Sequence, residues 1–244
     1  MLAAWLKQHF RLVWWMLFAA AAVPAMWLAG AYWRHGLGEN PLEAMLHTTG
    51  KAAMIMLIFT LVITPLRRSL TLLSKQIHAR YGKRLSDWNW LVRLRRLFGL
   101  WCSAYALVHC WLFLEFDLGY DWDAIMLEVR EKPYLLAGAF AVLLLFPLAA
   151  TSTRGMMKRL GKHWFTLHTL TYAVAVLGLL HFWWLVKPGD WRPMPYTIAI
   201  GALFGYRLLL RMGLLRPWSG SNGLEAPERQ TGFPATATGE IGRG

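Results

Sequence analysis

Long apolar segments separated by charged loops dominate the amino-acid sequence. A helix needs about 20 apolar residues to cross about 30 Å of hydrocarbon, and lipid offers no partner to an unpaired backbone group. The uninterrupted segments also lack the alternating pattern of barrel strands. The sequence therefore predicts an all-α integral membrane bundle of six transmembrane helices, at residues 12–33, 47–66, 97–115, 134–152, 164–186 and 194–212.

Charged residues change sign from loop to loop. Basic residues fill the loops at 67–96 and 154–162, whereas acidic residues predominate at 115–131. Because short basic loops remain in the cytoplasm, both termini are predicted to be cytoplasmic and the acidic loop is predicted to lie outside. These loops also explain the net charge of +13, so the charge gives no reason to expect a nucleic-acid partner.

The chain is predicted to comprise a membrane domain at 1–215 and a disordered cytoplasmic tail at 216–244. The first apolar segment is similar to a signal peptide, but its length, Pro24 and the aromatic residues near its end favour an uncleaved span. The tail is rich in Gly, Pro and Thr. It is too short for a flavin- or nicotinamide-binding domain, and no Gly-x-Gly-x-x-Gly motif follows a strand. Electrons or energy are therefore expected from another molecule.

Two histidines at matching depth are the strongest functional candidates. His109 lies about six residues before the predicted outer end of the third span, and His181 lies about five residues before that of the fifth. An ionisable side chain in hydrocarbon is costly and usually faces an interior site. Two level imidazoles suit the iron of a six-coordinate heme, although each could instead only hydrogen-bond across helices. The small neighbours predicted to make room for a flat ring are Ser103, Ala106, Ala173 and Gly178.

The remaining candidates are one histidine and a set of arginines. His168 lies thirteen residues before His181, about 20 Å deeper and about 140° around an ideal helix. A bend near Gly178 would bring the rings closer, but spacing leaves its role open among a second heme, a flavin or quinone contact, and a structural role. Arg96 and Arg207 are candidates to bind heme propionates or a flavin phosphate, or serve only to orient the protein.

Three function classes fit these features. A heme with two histidine ligands suits a transmembrane electron carrier. A proton-conducting transporter would use the histidines as relays, but it would favour internal repeats and acidic residues at mid-membrane. A scaffold that only anchors an outer enzyme would tolerate loss of all three histidines. Heme absorption in the membrane fraction is expected only for the first class.

Several short motifs are spread over residues 45–212: Thr49-Gly50, Ile63-Thr-Pro-Leu-Arg-Arg68, Arg95-Arg96-Leu-Phe-Gly-Leu100 with His109, Lys132-Pro-Tyr134, Leu148-Ala-Ala-Thr-Ser152, Leu160-Gly161, Trp164, Leu167-His168 with Tyr172, and His181. Together they resemble the MsrQ (YedZ) family of the ferric-reductase-like transmembrane superfamily. The resemblance does not extend to the tail. Relatives in the superfamily include metal reductases, so a ferric or other metal reductase with a different acceptor is the alternative.

The resemblance implies a six-helix, multi-pass protein of the bacterial inner membrane that binds b-type heme and FMN. It implies electron transfer from the quinone pool or a cytosolic flavin reductase to a periplasmic molybdopterin methionine-sulfoxide reductase, MsrP. Such a system repairs oxidised periplasmic proteins. The functional histidines of the family correspond to His109, His168 and His181. Relatives with two hemes carry a second histidine on the third span, and its lack here implies one heme per chain.

Overall fold

A computed structural model of the chain describes residues 5, 8–34, 36–78 and 81–214, and the tail predicted at 216–244 lies outside them. The described residues contain helices and no strand, which confirms the all-α class. The helices are α1 (Phe10–Trp33), α2 (Pro41–Gln76), α3 (Trp90–Leu112), α4 (Trp122–Glu131), α5 (Pro133–Ala150), α6 (Arg154–Leu160), α7 (Lys162–Leu167), α8 (Leu170–Leu185) and α9 (Met194–Arg211).

Five helical segments of the described chain are long and apolar enough to cross a membrane. They are Phe10–Trp33, Pro41–Gln76, Leu85–Asp117, Pro133–Ala150 and Lys162–Leu185. Each overlaps one of the first five predicted spans, although the second and third extend up to twelve residues beyond the predicted bounds, so the chain is a multi-pass membrane protein. Helix α9 occupies the sixth predicted span and has 18 residues, but it is not among the five apolar segments. Its last turns contain Arg207 and Arg211, which lower its mean hydropathy.

The helices that carry the histidines are held in two tightly packed pairs. Helix α2 packs along α3, and α5 packs along α8. At the start of α2, Asn40 Oδ1 accepts a hydrogen bond of 3.2 Å from the backbone amide of Glu43, and Pro41 occupies the first turn, where its missing amide hydrogen costs nothing. The buried core includes small and branched side chains such as Ala175 of α8 and Ile200 of α9. The α3 and α8 histidines therefore lie inside the bundle.

The two ends of the bundle differ in charge, and we call them the basic end and the acidic end. The basic end comprises residues 67–96 and 153–163, where α2 runs on into a folded turn. There Trp88 Nε1 donates a hydrogen bond of 2.9 Å to the carbonyl of Gly82, whose φ of 95° favours glycine. Arg67 fixes the same turn through the carbonyl of Leu85 at 3.1 Å. The acidic end comprises residues 113–132, which form a π-helical turn and the amphipathic helix α4.

The predicted fifth span is broken into two helices. Helix α7 ends at Leu167 and α8 begins at Leu170, while Gly178 lies within the continuous α8. The interruption of this span lies at His168 and Thr169, ten residues before Gly178. The Thr169 hydroxyl donates to the carbonyl of Thr166 at 2.7 Å. This local bond competes with continuation of the helical hydrogen bonds.

Helix α1 is joined to α3 by hydrogen bonds beside its proline. Pro24 has no amide hydrogen, so the helical ladder is interrupted beside it. Tyr105 Oη of α3 donates to the carbonyl of Ala21 at 2.6 Å and accepts from the amide of Ala25 at 3.3 Å. Ala21 is the buried residue of α1. The tyrosine hydroxyl therefore ties α1 to the rest of the bundle.

Tyr105→Phe is expected to lower the stability of the purified protein, because the hydroxyl that bridges two backbone groups of α1 is lost. A buried hydrogen bond contributes about 0.5–1.5 kcal/mol. The change is measured as a lower apparent thermal unfolding midpoint in detergent. Tyr32→Phe is the control, since Tyr32 is a tyrosine of α1 itself and is 64% exposed. Equal midpoints for the two variants would contradict the role of the Tyr105 hydroxyl.

Candidate functional site

His109 of α3 and His181 of α8 face each other across the bundle. Their ring centres lie 6.1 Å apart, and the ring planes are nearly perpendicular at 89°. Both side chains are half-buried. The structure therefore brings together the two histidines that the sequence placed at one depth.

The separation of the rings fits a metal ion held between them. A metal–imidazole bond is about 2 Å long and the bonded nitrogen lies about 1 Å from the ring centre, so two rings on opposite sides of one metal have centres about 6 Å apart. Among the described residues no group of three or more His, Cys, Asp or Glu side chains surrounds a metal position. The protein offers two ligands, so a porphyrin that supplies the other four nitrogens fits this pair better than a bare ion does.

Backbone carbonyls orient both imidazoles. His109 Nδ1 lies 3.0 Å from the carbonyl of Leu46 and 3.3 Å from Thr49 Oγ1. His181 Nδ1 lies 2.8 Å from the carbonyl of Tyr134. A carbonyl oxygen can only accept, so each Nδ1 carries the hydrogen and each Nε2 keeps its lone pair. This is the tautomer that a metal-binding histidine needs, with its other nitrogen held by a second group.

Two glycines that sequence reasoning missed make room for the imidazoles. A Cβ at Gly138 of α5 would lie 2.7 Å from His181 Nδ1, and one at Gly50 of α2 would lie 3.3 Å from His109 Cε1. Gly178, predicted to flank the site, instead lies against Met54, whose sulfur would be 3.0 Å from an added Cβ. The sequence did contain one signal for these positions, because a glycine inside an apolar helix often marks a place where another group packs closely against the helix. The sequence does not say which group approaches.

His168 does not join the histidine pair. Its ring stacks on Trp164 at 3.9 Å, and its Nδ1 lies 3.1 Å from the carbonyl of the same residue. The carbonyl of Leu148 is a further polar neighbour of the ring. Trp164 is itself held by a hydrogen bond of 3.1 Å from its Nε1 to the carbonyl of Thr151. The break in the fifth span thus places His168 in a separate environment.

That environment is a large cavity toward the basic end. Its volume is about 1690 Å³, and no Asp or Glu lines it. Its polar lining includes Ser103, whose hydroxyl donates to the carbonyl of Gly99 at 3.0 Å. The side chains that line it also include His168, Tyr172, Arg95, Arg96 and Arg207. The cavity is therefore lined by His168 and by both arginines predicted from the sequence, Arg96 and Arg207.

The arginines of the cavity differ in their surroundings. Arg207 reaches into the core, where its Nη2 donates to the carbonyl of Leu61 at 2.7 Å and its guanidinium lies 5.2 Å from the ring centre of Tyr172. Arg96 is exposed. Its neighbour Arg95 has a buried Nε with no hydrogen-bond partner among the described residues. A buried donor without a partner is costly, so Arg95 is the better candidate to bind an anion.

Comparison with known proteins gives a consistent family. The family described as ferric reductase like transmembrane component matches residues 49–179. Proteins named protein-methionine-sulfoxide reductase heme-binding subunit MsrQ are similar along most of their length. The one from Herminiimonas arsenicoxydans is 41% identical over 81% of this chain and 83% of its own. Those from Azospira oryzae and Xanthomonas euvesicatoria are 37% and 36% identical, over 83% and 82% of this chain and 81% and 88% of their own. The chain therefore belongs to the MsrQ family of ferric-reductase-like transmembrane proteins.

Proposed function

We propose that the chain carries electrons across the membrane with a b-type heme held by His109 and His181. The facing pair of imidazoles, 6.1 Å apart with both Nε2 atoms available, carries this proposal. The relatives in the same family are named as heme-binding subunits of a protein-methionine-sulfoxide reductase. A bound heme would supply a one-electron iron couple.

The protein holds the two imidazoles in position and shields them from solvent on the α2 side. The carbonyls of Leu46 and Tyr134 fix the two rings, so little movement of the ligands is needed when the charge at the site changes. Thr49, which is 1% exposed, closes the α2 side. In the part of the chain that the structure describes, no carboxylate pairs with either histidine. This arrangement supports electron transfer rather than proton relay.

We propose that α9 completes six spans and that both termini lie in the cytoplasm of a bacterium, with the chain in its inner membrane. Helix α9 has 18 residues and is about 27 Å long, close to the thickness of the hydrocarbon. The basic end would face the cytoplasm by the positive-inside rule. The histidine pair then lies toward the periplasm, near the acidic end.

We propose that FMN occupies the deep part of the cavity, near His168, Tyr172 and Arg207. A flavin phosphate would meet the unpartnered Nε of Arg95, and no carboxylate in the cavity would repel it. Arg96, which is exposed, would contribute only long-range attraction. His168 would contact the ring system rather than bind iron, which leaves one heme per chain.

The partners follow from this orientation and from the names of the relatives. Electrons would come from the quinone pool or from a cytosolic flavin reductase, at the basic end. They would leave at the acidic end to a periplasmic methionine-sulfoxide reductase of the MsrP type. The acidic residues there would attract a partner with a basic patch and raise its rate of association.

The proposal is tested by spectroscopy and cofactor analysis of the full chain purified from heme-replete cells. We expect the reduced protein to show the absorption of a six-coordinate b-type heme, with about one heme per chain by pyridine hemochrome assay. We expect released FMN in the same preparation. Colourless protein with an intact helical circular dichroism spectrum would overturn the electron-carrier proposal, and heme without flavin would overturn the FMN part alone.

A further inference from the structure

Exposed arginines surround the cavity where it opens at the basic end. We call them the mouth arginines: Arg11 of α1, Arg93 and Arg96 of α3, and Arg154 at the start of α6. Arg93 and Arg96 lie three residues apart and therefore share one face of α3. The guanidinium of Arg93 lies 5.3 Å from the ring centre of Phe10, so it rests against α1. The opening thus runs between α1 and α3.

The mouth arginines have no carboxylate partner in the part of the chain that the structure describes. The ion pairs there involve His47 with Glu43, Lys132 with Glu128, and Arg192 with Asp190. Arg192, in the loop before α9, donates from its Nε to a carboxylate oxygen of Asp190 at 2.6 Å. Unlike the mouth arginines, this arginine is therefore paired with a carboxylate. The cavity lining contains no Asp or Glu. An anionic ligand at the mouth would therefore meet four arginines and no competing carboxylate among the described residues.

Below the mouth the cleft between α1 and α3 is apolar and aromatic. Trp14 stacks on Phe18 at 5.4 Å, and Phe18 contacts Trp101 of α3 at 5.2 Å. Only Ala21 of α1 is buried, so this helix leaves much of its surface open beside the cleft. The cavity of about 1690 Å³ exceeds the roughly 300–1,000 Å³ of ordinary ligand pockets. It has space for hydrocarbon chains beside any ligand near His168.

We propose that this cleft binds an anionic phospholipid. Its phosphate lies among the mouth arginines, at the depth of the membrane surface, and its acyl chains lie along the aromatic wall formed by Trp14, Phe18 and Trp101. Basic pockets between transmembrane helices near the cytoplasmic surface are suited to anionic head groups. Guanidinium groups bind phosphate oxygens in pairs, which favours arginine over lysine here.

The chemistry of the cleft selects this class of ligand. A soluble anion would satisfy the arginines but would leave the aromatic wall uncovered. A zwitterionic lipid would bring an ammonium group next to the mouth arginines, where no carboxylate is available to pair with it. A lipid with net negative charge satisfies both the basic mouth and the apolar wall.

The lipid site is independent of the heme proposal, because none of its residues contacts His109 or His181. The test uses the full chain purified in mild detergent, with co-purified phospholipid counted by native mass spectrometry. Arg11→Gln combined with Arg93→Gln removes two mouth arginines. Lys158→Gln combined with Arg159→Gln is the matched control, since it removes two exposed charges of α6 that do not line the cavity.

We expect the wild type and the control to retain anionic phospholipid and the mouth variant to bind it about 30-fold more weakly. Added phosphatidylglycerol should raise the thermal unfolding midpoint of the wild type, and phosphatidylcholine should not. Heme absorption should be the same in all three proteins, which separates this test from that of the electron-carrier proposal. Equal lipid retention by the two double variants, or equal effects of the two lipids, would overturn the lipid site.

Discussion

His109→Ala and His181→Ala are each expected to abolish the six-coordinate heme spectrum of the purified protein. Each change removes one of two imidazoles whose ring centres lie 6.1 Å apart. His168 is not placed to substitute for either one, because it is stacked on Trp164 at 3.9 Å and its Nδ1 lies 3.1 Å from the carbonyl of the same residue. The remaining imidazole would leave one side of the iron without a protein ligand.

The control for the histidine variants is His163→Ala. His163 lies on α7 and is exposed, so its loss should leave the spectrum unchanged. Heme content is measured by pyridine hemochrome assay, and low-spin character by electron paramagnetic resonance. Normal low-spin heme in both His109→Ala and His181→Ala would exclude the pair as the iron ligands. A spectrum lost only in His168→Ala would move the site to the cavity.

Gly138→Ala is expected to weaken heme binding although residue 138 does not touch the iron. The added Cβ would lie 2.7 Å from His181 Nδ1 and 3.0 Å from Cε1, so the ring must move. Movement of the ring would break its 2.8 Å bond to the carbonyl of Tyr134, which fixes the orientation of the imidazole. In the apoprotein the ring can move aside, but iron binding would return it to the crowded position, so we expect the overpacking cost of about 1–3 kcal/mol to appear as about 5- to 150-fold weaker heme binding.

Gly201→Ala is the matched control for Gly138→Ala. It makes the same change within helix α9, where an added Cβ meets nothing within 4 Å. Alanine is the better helix former, so this variant should be at least as stable as the wild type. Heme affinity is measured by titrating heme into the apoprotein. Similar affinities for the two variants would show that the close approach of Gly138 to His181 does not position the ligand.

The sequence predicted the spans well because membrane thickness imposes a length that can be counted. It did not predict the break at His168, since the bond from Thr169 to the carbonyl of Thr166 depends on a side-chain rotamer that hydropathy does not record. It also treated α9 as equal to the other spans, although arginines in its last turns set it apart. Composition therefore predicts the length of a span, but it does not predict a local interruption of the helix within that span.

The histidine pair was predictable for a similar reason. Depth follows from a fixed rise per residue, so His109 and His181 could be matched without a structure. The choice between Arg95 and Arg96 could not be made this way, because adjacent helical residues differ by about 100° in direction and the rotation of α3 is set by packing. Gly50 and Gly138 were missed because their role depends on contacts between helices that are distant in the sequence.

The origin of the site residues has a consequence for biosynthesis. Gly50, His109, Gly138 and His181 come from α2, α3, α5 and α8, so the ring positions are defined by elements spread over more than half of the chain. With the proposed ligands His109 and His181, the ribosome must pass residue 181 before the second ligand exists. Heme loading would then be a late event in assembly, after at least the first five apolar segments have been delivered to the bilayer.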